Sequence, residues 1–120
     1  MGGEASQRGG ETILRVTADP TRAATFERQI AVRTGYRVGT ADSIGAALGY
    51  LDGEEQVVAV VADADLADAD GVALLEFLRA ERPDLPVLLR TEDAGSRTLA
   101  RAARAGATRV LAAGAYDGAW

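Results

Sequence analysis

The chain has 120 residues, a formal net charge of -5 and 48% hydrophobic residues, which suits one domain with one core. The acidity excludes a nucleic-acid binder, which would need a basic stripe along the phosphates. Cysteine and histidine are absent and all 13 basic residues are arginine, so disulfides, thiolate and imidazole metal ligands and every His- or Cys-based catalytic arrangement are excluded.

Chemistry is left to carboxylates, hydroxyls and backbone. No apolar run is long enough to span a bilayer and no charged-then-apolar leader opens the chain, so the expectation is a soluble cytoplasmic protein that does not bind membranes.

Residues 1–10 (MGGEASQRGG) are polar and glycine-rich and read as a loose tail; residues 11–120 read as the domain. Thr12 to Thr17 (TILRVT) is predicted as a first strand. Asp19-Pro20 then starts a helix, because the carboxylate caps free amides and proline loses nothing at a first helical position. Ala23, Phe26, Ile30 and Ala31 line one face of that helix, which Gly35 ends. A short second strand, Tyr36 to Thr40, precedes a helix capped by Asp42 that buries Ile44, Ala47, Leu48 and Leu51.

The organising stretch is VVAVVADADLADADG, Val57 to Gly71. Its apolar, β-branched start reads as a strand buried on both faces, as in a parallel sheet, and Asp63 falls at that strand's carboxyl end, the edge where open α/β sheets bind ligands. Asp65, Asp68 and Asp70 follow in the loop. Two carboxylates about 4 Å apart repel by roughly 4 kcal/mol at an effective dielectric near 20, so such a cluster needs a cation, a protonated member or room to spread into water. Asp70 is the natural cap of a helix from Gly71 to Glu81 with Val72, Leu74, Leu75 and Leu78 inward. Pro86 to Arg90 is a fourth strand ending at Thr91. Ala94 to Ala105 is an arginine-rich helix with Leu99 and Ala103 inward, and Thr108 to Ala112 is a fifth strand. The alternation specifies βα units and a five-stranded parallel sheet with helices on both faces. The chain stops where a fifth helix would begin, which reads as a fragment cut from the N-terminal part of a longer protein.

From about residue 12 to residue 115 this order resembles the receiver domain of two-component response regulators. Asp70-Gly71 fixes the loop register, Thr91 follows PVLLR, ERPDLPVLL looks like the approach to the fourth strand, and RAGATRVLAAGA looks like the run through the fifth. The resemblance implies a flavodoxin-like, doubly wound sheet in strand order 2-1-3-4-5 with the last helix missing or truncated. It places Asp63 as phosphoacceptor and Thr91 as donor to a phosphoryl oxygen. A magnesium ion would be held by Asp19, Asp63 and the backbone carbonyl of Asp65. Phosphoryl transfer to a carboxylate needs that in-line nucleophile, a bridging cation and donors for the other oxygens.

Several positions depart from the family pattern. Ala18-Asp19 retains one carboxylate of the family's first-strand pair; helix cap and metal ligand are both open to Asp19. Ala67 replaces a loop proline, Ala113-Gly114 stands where Lys-Pro is expected, and Val110 replaces the aromatic residue that reports phosphorylation. Arg90 neighbours Thr91 but, by strand alternation, is expected to point to the opposite side. Arg97, Arg101 and Arg104 form a charged helix face that is either solvated or docks an acidic partner.

Two functions follow from the resemblance. One is a receiver module taking a phosphoryl group onto Asp63 from a histidine kinase and relaying it to an output or sensor domain. The other is a degenerate pseudo-receiver, a docking or dimerisation module independent of phosphorylation. The expected partners are a histidine kinase or other domains of the same protein, with a homodimer compatible with either reading. Neither is an enzyme beyond weak self-dephosphorylation.

Overall fold

The computed structural model describes residues 11–53, 56–66, 70–92 and 95–112. The expected N-terminal tail, the loop residues Ala67 and Asp68, and everything after Ala112, including Ala113 and Gly114, lie outside the described residues. In chain order the elements are β1 (Thr12–Val16), α1 (Pro20–Arg33), β2 (Arg37–Ala41), α2 (Ile44–Gly53), β3 (Val57–Asp63), α3 (Gly71–Glu81), β4 (Val87–Thr91), α4 (Ser96–Ala105) and β5 (Arg109–Ala112). The strands form one sheet in the order β2-β1-β3-β4-β5, every pairing parallel. This is the doubly wound order expected from the sequence.

β1 and β3 are central because each has a strand on both sides and both faces covered, which demands apolar residues at nearly every position. Strand alternation sorts those residues into two layers. Leu14 and Val16 of β1, Val60 and Ala62 of β3, and Val87 and Leu89 of β4 face α2, α3 and α4, meeting Ala47, Leu51, Leu74, Leu75, Leu78 and Ala102. Ile13, Val61 and Leu88 face α1, where they meet Phe26 and Ile30. Arg15 shares the parity of Ile13 and is fully buried on that face, its Cζ 5.7 Å from the centroid of the Phe26 ring. A buried arginine in a central strand is costly unless paired, and its pairing defines the site described below.

Helix starts follow local side-chain chemistry. Asp19 caps α1, accepting from the amides of Thr21 and Arg22 at 2.9 and 3.3 Å. The cap of α2 differs from expectation: the Ser43 hydroxyl, not Asp42, accepts from the Ala46 amide at 3.1 Å, one residue closer to the first turn. Asp70 caps α3 through the Ala73 amide at 3.0 Å. In α4 the inward residue is Ala102, while Leu99 and Ala103 are exposed.

Gly71 has a positional reason. A Cβ there would lie well inside contact distance of the Asp63 carbonyl oxygen and 3.0 Å from Leu89 Cδ1, so α3 can start against the end of β3 only without a side chain. Its amide donates to the Ala64 carbonyl at 2.7 Å, closing the loop that follows β3. Gly71→Ala is expected to cost about 1 to 3 kcal/mol, because the clash is with backbone that has nowhere to move. A lower urea midpoint at unchanged m would show it; an unchanged midpoint would mean α3 shifts freely.

α4 reaches back to the cap of α3 through an ion pair between Arg101 Nη2 and Asp70 Oδ2 at 3.0 Å. The Arg101 hydrogen bond, helped by the helix amides, holds the Asp70 carboxyl below its ordinary value of 3.8. A lowered native carboxyl stabilises the fold fully above the unfolded value and loses that contribution as pH falls through the native one. Both groups are nearly half exposed, so solvent screening limits Arg101→Gln to a cost of at most about 0.5 kcal/mol at neutral pH. Parallel denaturation curves of the two proteins should converge as the pH drops below 3.8.

Candidate functional site

β1, β3 and β4 deliver three charged side chains to one face of the sheet at its carboxyl edge. Asp63 and Arg90 are register partners on β3 and β4, and Arg15 lies two register steps before the end of that edge on β1, paired with Val61. By alternation all three fall on the α1 face. The reading of Arg90 as directed away from Thr91 therefore has a consequence the sequence did not reveal: that side is the side of Asp63. Thr91 is buried at the end of β4 and has the parity of Val87 and Leu89.

The Asp63 side chain is 3% exposed and both its oxygens are engaged. Oδ1 accepts from Arg15 Nη2 at 2.7 Å. Oδ2 accepts from the Thr17 hydroxyl at 2.5 Å and from Arg22 Nη1 at 3.0 Å. The Thr17 hydroxyl in turn accepts from the Asp19 amide at 3.1 Å, which orients its proton toward Asp63. Arg15 is anchored from its other nitrogen, Nη1, which donates to the carbonyls of Val16 and Val61 at 3.0 and 3.2 Å. Burial pulls the Arg15 guanidinium below its ordinary pKa; the charge and hydrogen bond of Asp63 push it back up, and the nearby positive charges of Arg90 and Arg22 lower it again. A guanidinium remains charged throughout any accessible pH range.

The charge network continues outward. Arg22 Nη2 pairs with Glu92 Oε2, Arg90 Nη1 reaches the same oxygen at 3.3 Å, and Arg22 Nε lies 3.8 Å from Asp19 Oδ2. Three guanidiniums thus face the three carboxylates of Asp63, Glu92 and Asp19. The sequence posed the question of what neutralises the acidic edge. At Asp63, arginine does.

Of the residues expected to hold magnesium, Asp63 and Asp19 both lie against Arg22, at 3.0 and 3.8 Å. Asp19 is spent on the first turn of α1, with its carboxylate 46% exposed. Asp65, whose backbone carbonyl is the third expected ligand, forms an antiparallel bridge with Asp70. Among the described residues no group of three or more His, Cys, Asp or Glu side chains is arranged to hold a metal ion. Magnesium needs oxygen donors with free lone pairs, and a divalent ion on Asp63 would stand beside two guanidiniums already bonded to that carboxylate. For an ion to sit on Asp63, Arg15 or Arg22 would have to give up its hydrogen bond to that carboxylate. The residues that matter most here, Arg15, Thr17, Arg22 and Glu92, were not singled out from the sequence. For Arg15 a signal was present, since a lone arginine inside an apolar central strand implies a buried counter-charge.

A family model, the response regulator receiver domain, matches residues 13–113. A two-component response regulator of Oryza sativa subsp. indica, ORR24, is 31% identical over 103 residues; the match covers 85% of this chain and 16% of that protein, so the chain spans about a sixth of its length. The non-phosphorylated HemR receiver domain from Leptospira biflexa superposes with a TM-score of 0.78 at 28% identity, covering 88% of this chain and 84% of that one. A CheY-like response regulator receiver domain protein from Methanospirillum hungatei JF-1 superposes with a TM-score of 0.76 at 26% identity, covering 88% and 83%. With the strand order and the acidic strand end already in place, the chain belongs to the response regulator receiver domain family.

Proposed function

We propose that this domain is a pseudo-receiver: it keeps the receiver fold of two-component signalling but serves as a phosphorylation-independent docking or dimerisation module within a larger protein. Phosphoryl acceptance on aspartate with magnesium is general to the family. The observation that carries the different reading is the engagement of both Asp63 oxygens by Arg15, Thr17 and Arg22 in a nearly sealed environment. An in-line nucleophile needs a free lone pair facing the phosphorus, a cation to bridge to the phosphoryl oxygens and room for the departing group. Here each requirement competes with a charge-assisted hydrogen bond, the strong kind in a protein interior. In this reading Asp63 is the structural counter-ion of β1.

The receiver reading assigns Asp63 as phosphoacceptor, Thr91 as donor and Asp19, Asp63 and the Asp65 carbonyl as magnesium ligands. To act so, Asp63 would have to release Arg15, leaving a fully buried guanidinium without its carboxylate. The docking partners expected for the pseudo-receiver are other domains of the same protein, a histidine kinase or a second copy. The exposed arginines Arg97, Arg101 and Arg104 along α4 suit an acidic surface.

Two measurements separate the readings. Incubation with acetyl phosphate and magnesium, followed by intact mass, is expected to give no adduct; an adduct that disappears in Asp63→Asn would overturn the proposal. Asp63→Asn is itself expected to cost about 3 to 5 kcal/mol, because it strands a buried arginine. Chemical denaturation reads that loss, and a near-neutral substitution would show that Asp63 is not the counter-ion.

A further inference from the structure

Glu92 occupies an unusual position for an exposed carboxylate. One of its oxygens is shared by Arg22 of α1 and Arg90 of β4, while the side chain as a whole is 56% exposed. Arg90 is the reverse: its side chain is 9% exposed, and its buried Nε has no hydrogen-bond partner among the described residues. A guanidinium that is nine-tenths buried, incompletely satisfied, and answered by one exposed carboxylate is built like an anion site with an internal occupant.

The charge count supports this. With Glu92 in place, Arg15, Arg22 and Arg90 are balanced by Asp63, Asp19 and Glu92. When Glu92 turns out to water, one positive charge is uncovered between Arg22 and Arg90. Asp63 cannot follow, being held by Arg15 and Thr17. Asp19 is tied to the amides of α1. Glu92 is the member of the set that can leave.

We propose that the gap between Arg22 and Arg90 is a reversible binding site for a small tetrahedral oxyanion of the phosphate class, with the Glu92 carboxylate as its competing lid. Two guanidiniums from different elements present their N–H groups to one point, the geometry suited to an anion with several oxygens. Binding is noncovalent and forms no bond to Asp63. It ties α1 to β4 more firmly than the single Glu92 oxygen does, because a tetrahedral anion offers separate oxygens to Arg22 and Arg90. The inference uses the Asp63 ion pairs only to keep Arg22 in place. It is separable from the reading above, since inorganic phosphate is no phosphoryl donor and leaves the intact mass unchanged.

The test is a titration of the full chain with inorganic phosphate at constant ionic strength, chloride serving as the control, followed by thermal midpoint and by the side-chain N–H resonances of arginine. The expected result is a saturable stabilisation with shifts at Arg22 and Arg90. Removing the competing charge in Glu92→Gln should tighten binding by about tenfold or more. Adding Arg90→Gln to Glu92→Gln should abolish the effect, and if that double variant does not fold, the Arg90 resonance in Glu92→Gln carries the same information. A phosphomonoester such as glycerol phosphate, run in parallel, tells whether the free anion or a phosphorylated metabolite is the better occupant. Phosphate acting no differently from chloride in Glu92→Gln, or shifts confined to Arg97, Arg101 and Arg104 on α4, would overturn the proposal.

Discussion

A carboxylate at the end of a fully buried strand must be neutralised, and in this protein the neutralising charge comes from the neighbouring strand. Arg15 and Asp63 meet at 2.7 Å with both side chains almost without solvent. Desolvating two such ions costs several kcal/mol each, and the return depends on geometry and on satisfying the remaining protons and lone pairs. That condition is largely met: Arg15 also donates to two strand carbonyls, and Asp63 also accepts from Thr17 and Arg22. Once the pair is fixed, β1 and β3 are locked side by side at their carboxyl ends. The first turn of α1, which supplies Arg22, is drawn onto the same carboxylate.

This pair also decides what the edge can do. In a parallel doubly wound sheet the carboxyl edge is open because strands end there and helices have yet to begin. Chemistry at such an edge usually needs an underneutralised carboxylate to attract a cation. Here arginine comes from β1 and α1 with a third guanidinium on β4, and the cations are covalently part of the chain. An edge of this kind attracts anions instead, and it does so only to the extent that Glu92 and Asp19 leave the arginines unsatisfied.

The fold was readable because its signals are redundant. A continuous apolar run at β3, Pro20 after Asp19 and Asp70 before Gly71 each mark an element by a separate physical cause, and the structure places the elements within one or two residues of those marks. Where a single weak signal had to decide, it failed: Asp42 was expected to cap α2, and the adjacent Ser43 does so. Leu99 outranks Ala102 in hydrophobicity, yet Ala102 is the buried residue and Leu99 is exposed.

The site was legible at one residue and opaque in its surroundings. Asp63 is fixed by position along one strand, a local property. Its partners come from β1, the loop after it and α1, and their convergence depends on which face each side chain takes and how far a long arginine reaches. Alternation gave the parity of Arg90 correctly but not its meaning, because parity assigns a face and leaves open what else stands on it. The missing family lysine drew attention to an absent positive charge, while the positive charge was present in other residues and approached the carboxylate from another strand. Charge at a site is a sum over everything within reach, so the loss of one residue type at one motif position does not measure it. For this chain the sum at Asp63 is set by Arg15 and Arg22, and a motif-centred reading misses both because neither lies where the family keeps its chemistry.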